Sequence, residues 1–317
     1  MENAELAYLL GMIAGKGTII RHENDTDIII EIPHKNLTIE GMDAPLSVKA
    51  SLDDIRNNIE PLISTRINSI QTQNKTVIKF SKSNQDFLTR EINRYFGRLT
   101  TCKEFRVPNE IFSSPKDIKK EFIIGLADVT AHIRGSNIAF GLPFNHRVYI
   151  EIPVNWYMVI DIGNLLYDLD VPIHNIDWGH PNMRDPNLKD YNEGKTKAWA
   201  REHQIKIFAD EFERIGFRIV HKQRTLIKLA EINRKNWDDE IQKKFARARN
   251  QTQVEKYNQQ LGHIEMAHHK FYWETKDIQK IKPHHPMEDS ERIPPEIKGI
   301  HFDSWKEICK ALGYKRK

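Results

Sequence analysis

A chain of 317 residues with 39% hydrophobic content is long enough to bury a substantial core, and no run in it approaches the roughly 20 consecutive apolar residues of a membrane span. Its two cysteines, Cys102 and Cys309, offer neither a disulfide framework nor a paired-cysteine metal knuckle, and the opening MENAELAYLL lacks the zones of a secretion signal, so the chain reads as intracellular, in cytoplasm or nucleoid, with no membrane partner. The net charge of +4 is uneven: residues 221–317 carry 21 Lys/Arg against 14 Asp/Glu, out of 48 and 44 in the whole chain, and a basic tail of this kind suits a polyanion such as nucleic acid.

In chain order, the first element is an apolar helix broken by small residues, LLGMIAGKG, Leu9 to Gly17. A polar turn follows around Arg21 to Asp27, and then DIIIEIPHKN, Asp27 to Asn36, whose partial alternation predicts a strand of an antiparallel sheet with one buried face. Leu52 to Ile63 reads as a helix. Thr76 to Gly97 reads as an alternating strand containing Lys79 that runs into an amphipathic helix, with Gly97 as its C-cap. The linker RVPNEIFSSPKDIKKEF places Pro115 and Asp117 after Ser114, a pattern that predicts Ser114 as the N-cap of the next helix.

That next helix carries IIGLADVTA, Ile123 to Ala131, and the whole order then recurs. A turn spans Arg134 to Asn145. RVYIEIPVNW, Arg147 to Trp156, shares IEIP with the first strand. A helix follows from Tyr157 to Asp168, and HQIKIFADEFERIGF, His203 to Phe217, repeats the strand and helix with Lys206 in place of Lys79 and Gly216 as the cap. The period is about 114 residues, too long for a solenoid and suited to a duplicated domain. Beyond Asn233 the composition changes to a charged helix from Asn236 to Tyr257, a His-bearing aromatic stretch, a Pro-rich linker and a short basic terminal helix. The expected organisation is residues 1–105, residues 106–233 and an extension over residues 234–317.

The two nonapeptides, their spacing, the linker and the repeated strand-helix order together resemble the single-chain LAGLIDADG homing endonuclease family over roughly residues 4–230. The resemblance implies an α/β (α+β) fold of two pseudo-symmetric αββαββα units in a monomer, packed helix to helix. Gly11, Ala14 and Gly15 would then face Gly125, Ala127 and Asp128 along a seam where small residues let two backbones approach closely. It also implies a saddle of antiparallel strands that lies along a duplex DNA groove.

In that family an acid before the last position of each motif holds a divalent metal, which demands hard oxygen ligands. Here those positions are Lys16 and Thr130, and the final glycine of the second motif is Ala131. Asp128 stands two positions away and, at about 100° per residue, points to a different side of its helix. The departure implies a DNA-binding protein with no catalytic residues and no metal or other cofactor, in which Lys16 can meet the phosphate that a metal would neutralise.

Candidate DNA contacts on or beside the strands are Arg21, His22, Lys35, Asn36 and Lys79 in the first unit. In the second unit they are His132, Arg134, Arg147, Asn155 and Lys206, followed by Lys222 and Arg224, with arginine suited to guanine and asparagine to adenine. Lys315 and Arg316 in the terminal helix would meet phosphates, since that helix resembles half of a helix-turn-helix-like module. Two alternatives stand beside this reading. One is an endonuclease or nickase drawing Mg2+ ligands from Glu31, Glu151 or Asp128; the other is an RNA-binding splicing cofactor. The His263, His268, His269, His284 and His285 stretch lacks the cysteines and spacing of a zinc site.

Overall fold

The computed structural model describes residues 3–39, 41–134, 146–153, 155–171, 173, 175–181 and 201–247. The expected turn over residues 135–145, the His-bearing stretch, the Pro-rich linker and the terminal helix with Lys315 and Arg316 lie outside the described residues.

Helix α1 (Ala4–Lys16) starts on Asn3, whose side-chain oxygen accepts from the Leu6 amide at 2.7 Å, and ends where the chain passes directly into β1 (Gly17–Arg21). Strand β2 (Asp25–Pro33) pairs antiparallel with β1. It stops at Pro33, earlier than the pattern suggested, because proline supplies no ladder donor and His34 opens a short helix, α2 (His34–Leu37). Lys35 and Asn36 therefore sit on a helix rather than a strand. Helix α3 (Ala44–Ile63) begins eight residues before Leu52, at a start set by the Asp43 carboxylate, which accepts from the Leu46 amide at 2.9 Å. Strands β3 (Asn68–Gln71) and β4 (Lys75–Ser83) and helix α4 (Phe87–Phe96) complete the first half, and Gly97 closes α4 at a φ of 58° with its amide on the Asn93 carbonyl.

After the short α5 (Asn109–Phe112) comes α6 (Lys116–Thr130). Ser114 does not cap it: the Ser114 hydroxyl turns back to donate to the Glu110 carbonyl at 2.6 Å, closing α5, and Pro115 stands at the helix boundary. Helix α6 passes directly into β5 (Ala131–Arg134), as α1 passes into β1. The second half continues with β6 (Arg147–Pro153), α7 (Trp156–Asp168), β7 (Asn175–Pro181), β8 (Arg201–Phe208) and a one-turn helix α8 (Ala209–Phe212). The helix expected to run on to Gly216 is thus shorter, its residues turning at Gly216 with a φ of 81°. The last helix among the described residues, α9 (Val220–Arg247), begins well before Asn236.

The fold is mixed α/β, with two antiparallel four-stranded sheets among the described residues, ordered β1-β2-β4-β3 and β5-β6-β8-β7. One face of each sheet is apolar: Ile19, Ile28, Ile30, Ile78 and Phe80 in the first, Ile133, Val148, Ile150, Ile205 and Ile207 in the second, all buried in one core with the helices. Between the sheets, α1 and α6 pack face to face. The approach is close enough that a Cβ on Gly11 would overlap the Phe122 carbonyl oxygen and one on Gly125 would overlap the Tyr8 carbonyl oxygen. Only glycine fits at both places, which is why the paired motifs carry it.

The linker is fastened to the second half. Arg106 forms a two-pronged ion pair with buried Asp161 at 2.6 and 2.8 Å, and the Val107 amide adds a bond to the same carboxylate at 3.2 Å. Burial nevertheless pushes Asp161 up to about 6. Among the described residues no helix is long and apolar enough to cross a membrane.

Candidate nucleic-acid interface

Alternation places a second set of side chains on the sheet faces turned away from the core. In the first sheet, register aligns Thr18, Ile29 and Lys79 in one row, Ile20, Asp27 and Ser81 in the next, and Glu31 beside Val77. In the second sheet the corresponding rows are His132, Tyr149 and Lys206; Arg134, Arg147 and Phe208; and Glu151 beside Gln204. The two frameworks correspond position by position, but the charges do not.

On the second face Tyr149 is the hub, buried together with His132, while Arg134, Arg147 and Lys206 around it are half-buried. The His132 ring stacks on it with centroids 5.1 Å apart, and the charged groups of Arg134, Lys206 and Arg147 lie 4.7, 5.6 and 5.9 Å from its centre. An aromatic ring attracts cations by its negative face, so the tyrosine gathers charges that would otherwise disperse. Beneath this cluster Glu151 takes Lys35 of α2 at 2.7 Å and accepts from Gln204 at 3.2 Å, tying the two halves together through a buried ion pair. His132 lies 3.7 Å from the same carboxylate.

On the first face the cations pair with carboxylates of the same face. Lys79 pairs with Asp27 at 2.7 Å, His22 meets the same carboxylate at 3.2 Å, and the Ser81 hydroxyl donates to it. The hydrogen bonds from Lys79 and Ser81 pull Asp27 down to about 2. Lys75 pairs with Glu31 at 2.6 Å. The face that remains is nearly neutral and partly apolar, with Ile20 and Ile70 exposed.

The two sheets meet at the ends of the seam helices. Lys16 is the last residue of α1, buried, with no hydrogen bond or ion pair to a described residue. Facing it across the seam, Thr130 ends α6 with its hydroxyl donating to the Leu126 carbonyl at 2.7 Å. A Cβ placed on Gly15 would come within 2.7 Å of the Thr130 methyl, so the two helix ends are in close contact. Neither residue fits a divalent metal: an ammonium repels it, and the threonine hydroxyl is neutral and engaged. Asp128 points away from this spot. It is fully buried, accepts from the Tyr8 hydroxyl at 2.8 Å and from the Arg218 amide at 3.2 Å, and burial drives its carboxyl upward. Among the described residues no three of His, Cys, Asp and Glu converge to hold a metal.

Four residues expected to touch DNA spend their side chains on hydrogen bonds within the protein. Arg21 spends its guanidinium on Asn93 and on the Gly97 and Leu99 carbonyls, closing the end of α4. Asn36 is fully buried and donates across the seam to the Val129 carbonyl at 2.9 Å. Asn155 donates to the Cys102 and Phe105 carbonyls of the linker and accepts from the Met158 amide at the start of α7. Lys222 is 1% exposed and gives its ammonium to the Ala127, Asp128 and Ala131 carbonyls at 2.9 to 3.1 Å, capping α6; burial lowers its pKa. In each case a long or forked polar side chain satisfies backbone groups that a helix end or chain crossing would leave bare. Lys35 joins them in the Glu151 pair, while Arg224 is exposed on α9. Tyr149 and Tyr8 were missed, although alternation from Arg147 puts Tyr149 on the arginine's face.

No protein-family model matches the sequence, and no curated protein does. Solved structures similar to this chain include LAGLIDADG-type homing endonucleases. I-DmoI in complex with DNA and Mn aligns at 16% identity and a TM-score of 0.34, over 69% of this chain and 96% of that one. The LAGLIDADG meganuclease I-AabMI bound to uncleaved DNA aligns at 9% identity and 0.38, over 73% and 92%. The I-LtrWI LAGLIDADG homing endonuclease bound to target DNA aligns at 11% identity and 0.34, over 81% and 96%. Alignments at this level leave the functional reading to the chain's own residues.

Proposed function

We propose that this protein binds double-stranded DNA sequence-specifically, along the outer faces of its two sheets, and does not hydrolyse it by a two-metal route. The observation that carries the reading is the cation cluster around Tyr149: Tyr149 and His132 are buried at its centre, and the half-buried Arg134, Arg147 and Lys206 rim the same sheet face. Arginines on a β surface can reach guanine edges in a major groove, and lysines beside them can hold phosphates. The corresponding registers of the two sheets and the glycine seam support descent from a duplicated unit, residues 1–105 and 106–233, acting as one monomer with a long asymmetric site. The extension over residues 234–317 supplies further cations in this reading.

Loss of hydrolysis is supported by Lys16 and Thr130 at the helix ends and by the engagement of the remaining acids. Glu31 is held by Lys75, Glu151 by Lys35 and Gln204, and Asp128 by Tyr8. The test is titration of a labelled duplex recovered from a randomised pool, beside single-stranded and structured RNA, with Arg134→Ala and Arg147→Ala as controls. Saturable duplex binding weakened by both substitutions supports the reading. Preference for structured RNA favours the splicing alternative, and new strand ends in Mg2+ favour the nuclease alternative.

A further inference from the structure

At the end of α1 stands a cation that has no counter-charge among the described residues. Lys16 is 9% exposed and makes no hydrogen bond or ion pair with a described residue. The carboxylates that could answer it are taken: Asp27 by Lys79, Glu31 by Lys75, Glu151 by Lys35 and Asp161 by Arg106. The negative end of the α1 dipole offsets part of the cost of burying an ammonium, on the order of 0.3–1 kcal/mol, and the rest falls to water or to an anion from outside.

The surroundings say which. The linker crosses here, with the Cys102 amide on the Gly17 carbonyl at 2.9 Å, and the field of Lys16 draws the Cys102 thiol down against the upward push of burial. Across the seam Thr130 is engaged with its own helix, and the Lys222 ammonium sits on the α6 carbonyls. The Lys222 charge is thus spent inside the fold, and Lys16 is left as the cation where β1 leaves α1, beside the point where β5 leaves α6. On the duplex-binding reading, a strand lying along both faces crosses between them here.

We propose that Lys16 is a built-in counter-cation, whose ammonium takes a backbone phosphate oxygen at the centre of the bound duplex and does there what a divalent ion would do for charge alone. The inference rests on the duplex-binding reading above. A lysine is a compact point charge suited to a single phosphate oxygen, and it brings no open coordination position and no activated water. The site therefore binds a phosphate and has no means of cleaving it.

The experiment is equilibrium binding of the selected duplex across a range of KCl concentrations, in EDTA and in Mg2+ at matched ionic strength. Wild type is compared with Lys16→Met, Lys16→Gln and Lys16→Glu, and thermal unfolding is followed in parallel. Each neutralised phosphate contributes roughly −0.9 to the slope of log K against log salt. The expected result is that wild type binds equally with and without Mg2+, and that Lys16→Met and Lys16→Gln bind several-fold more weakly with a slope smaller by about one. Lys16→Glu should bind poorly in EDTA and recover in Mg2+. Substituted proteins that unfold at the wild-type temperature and keep the wild-type slope would overturn the proposal. A wild-type protein that binds no duplex at all would overturn the duplex-binding reading instead, so the two failures are separable.

Discussion

The outer faces of the two sheets occupy matching registers and carry different chemistry, one nearly neutral and one cationic. Where the first has Ile20 and Asp27, the second has Arg134 and Arg147; where the first has Ile29, the second has Tyr149. The lysine on the fourth-described strand of each half is common to both, yet Lys79 is held by Asp27 while Lys206 joins the cluster on Tyr149. A backbone framework can thus recur while the charge it carries changes, and the partner of a cation decides its use more than its position does. On this account the second face grips a polyanion and the first contributes shape and apolar contact.

The comparison can be broken most severely from below. Lys222→Met removes the ammonium that caps α6 beneath the second face and leaves Asp128 buried without a counter-charge; a loss of about 3–5 kcal/mol in unfolding free energy is expected from denaturant titration. Asp128→Asn in the same chain should restore part of that loss. Gly125→Ala forces a methyl group into the Tyr8 carbonyl and spreads the seam that holds both faces together, at a cost of about 3 kcal/mol read as a lowered Tm.

On the faces themselves, Arg134→Ala or Arg147→Ala should weaken duplex binding by about 1–3 kcal/mol each, with thermal unfolding followed in parallel because both arginines are half-buried, whereas Lys79→Ala should change affinity little because Asp27 already neutralises it. Asp27→Asn sharpens the contrast further. It frees Lys79, so binding should strengthen and the salt slope should steepen by about one. The same substitution has a pH signature. A carboxylate held down to about 2 stabilises the fold above its unfolded value near 4, and that contribution is lost as pH falls from about 4 to about 2. The acid limb of the stability profile should therefore flatten in Asp27→Asn.

Much of the framework was legible from sequence because it depends on periodicity and on small residues. The repeated IEIP strands alternate visibly, and Gly11 and Gly125 mark a helix contact that tolerates no Cβ. Gly97 appeared where a left-handed cap was needed. The site was less legible, because residue type does not reveal what a side chain is spent on. Lys222 and Arg21 look like surface cations in a basic stretch, and only the return of α9 over α6, and of β1 beside α4, shows them satisfying carbonyls. Asn36 and Asn155 look like base readers and act as backbone bridges. Boundaries failed where a proline or a cap intervened, as at Pro33 and at the Ser114 hydroxyl.

The most direct measurement is selection on a randomised duplex library in Mg2+, with sequencing of both the retained molecules and any new strand ends. The account predicts enrichment of one long asymmetric site with both strands intact, and a base preference strongest in the half that lies over Arg134, Arg147 and Lys206. New ends at a fixed position within the enriched site, or no enrichment of duplex at all, would contradict it.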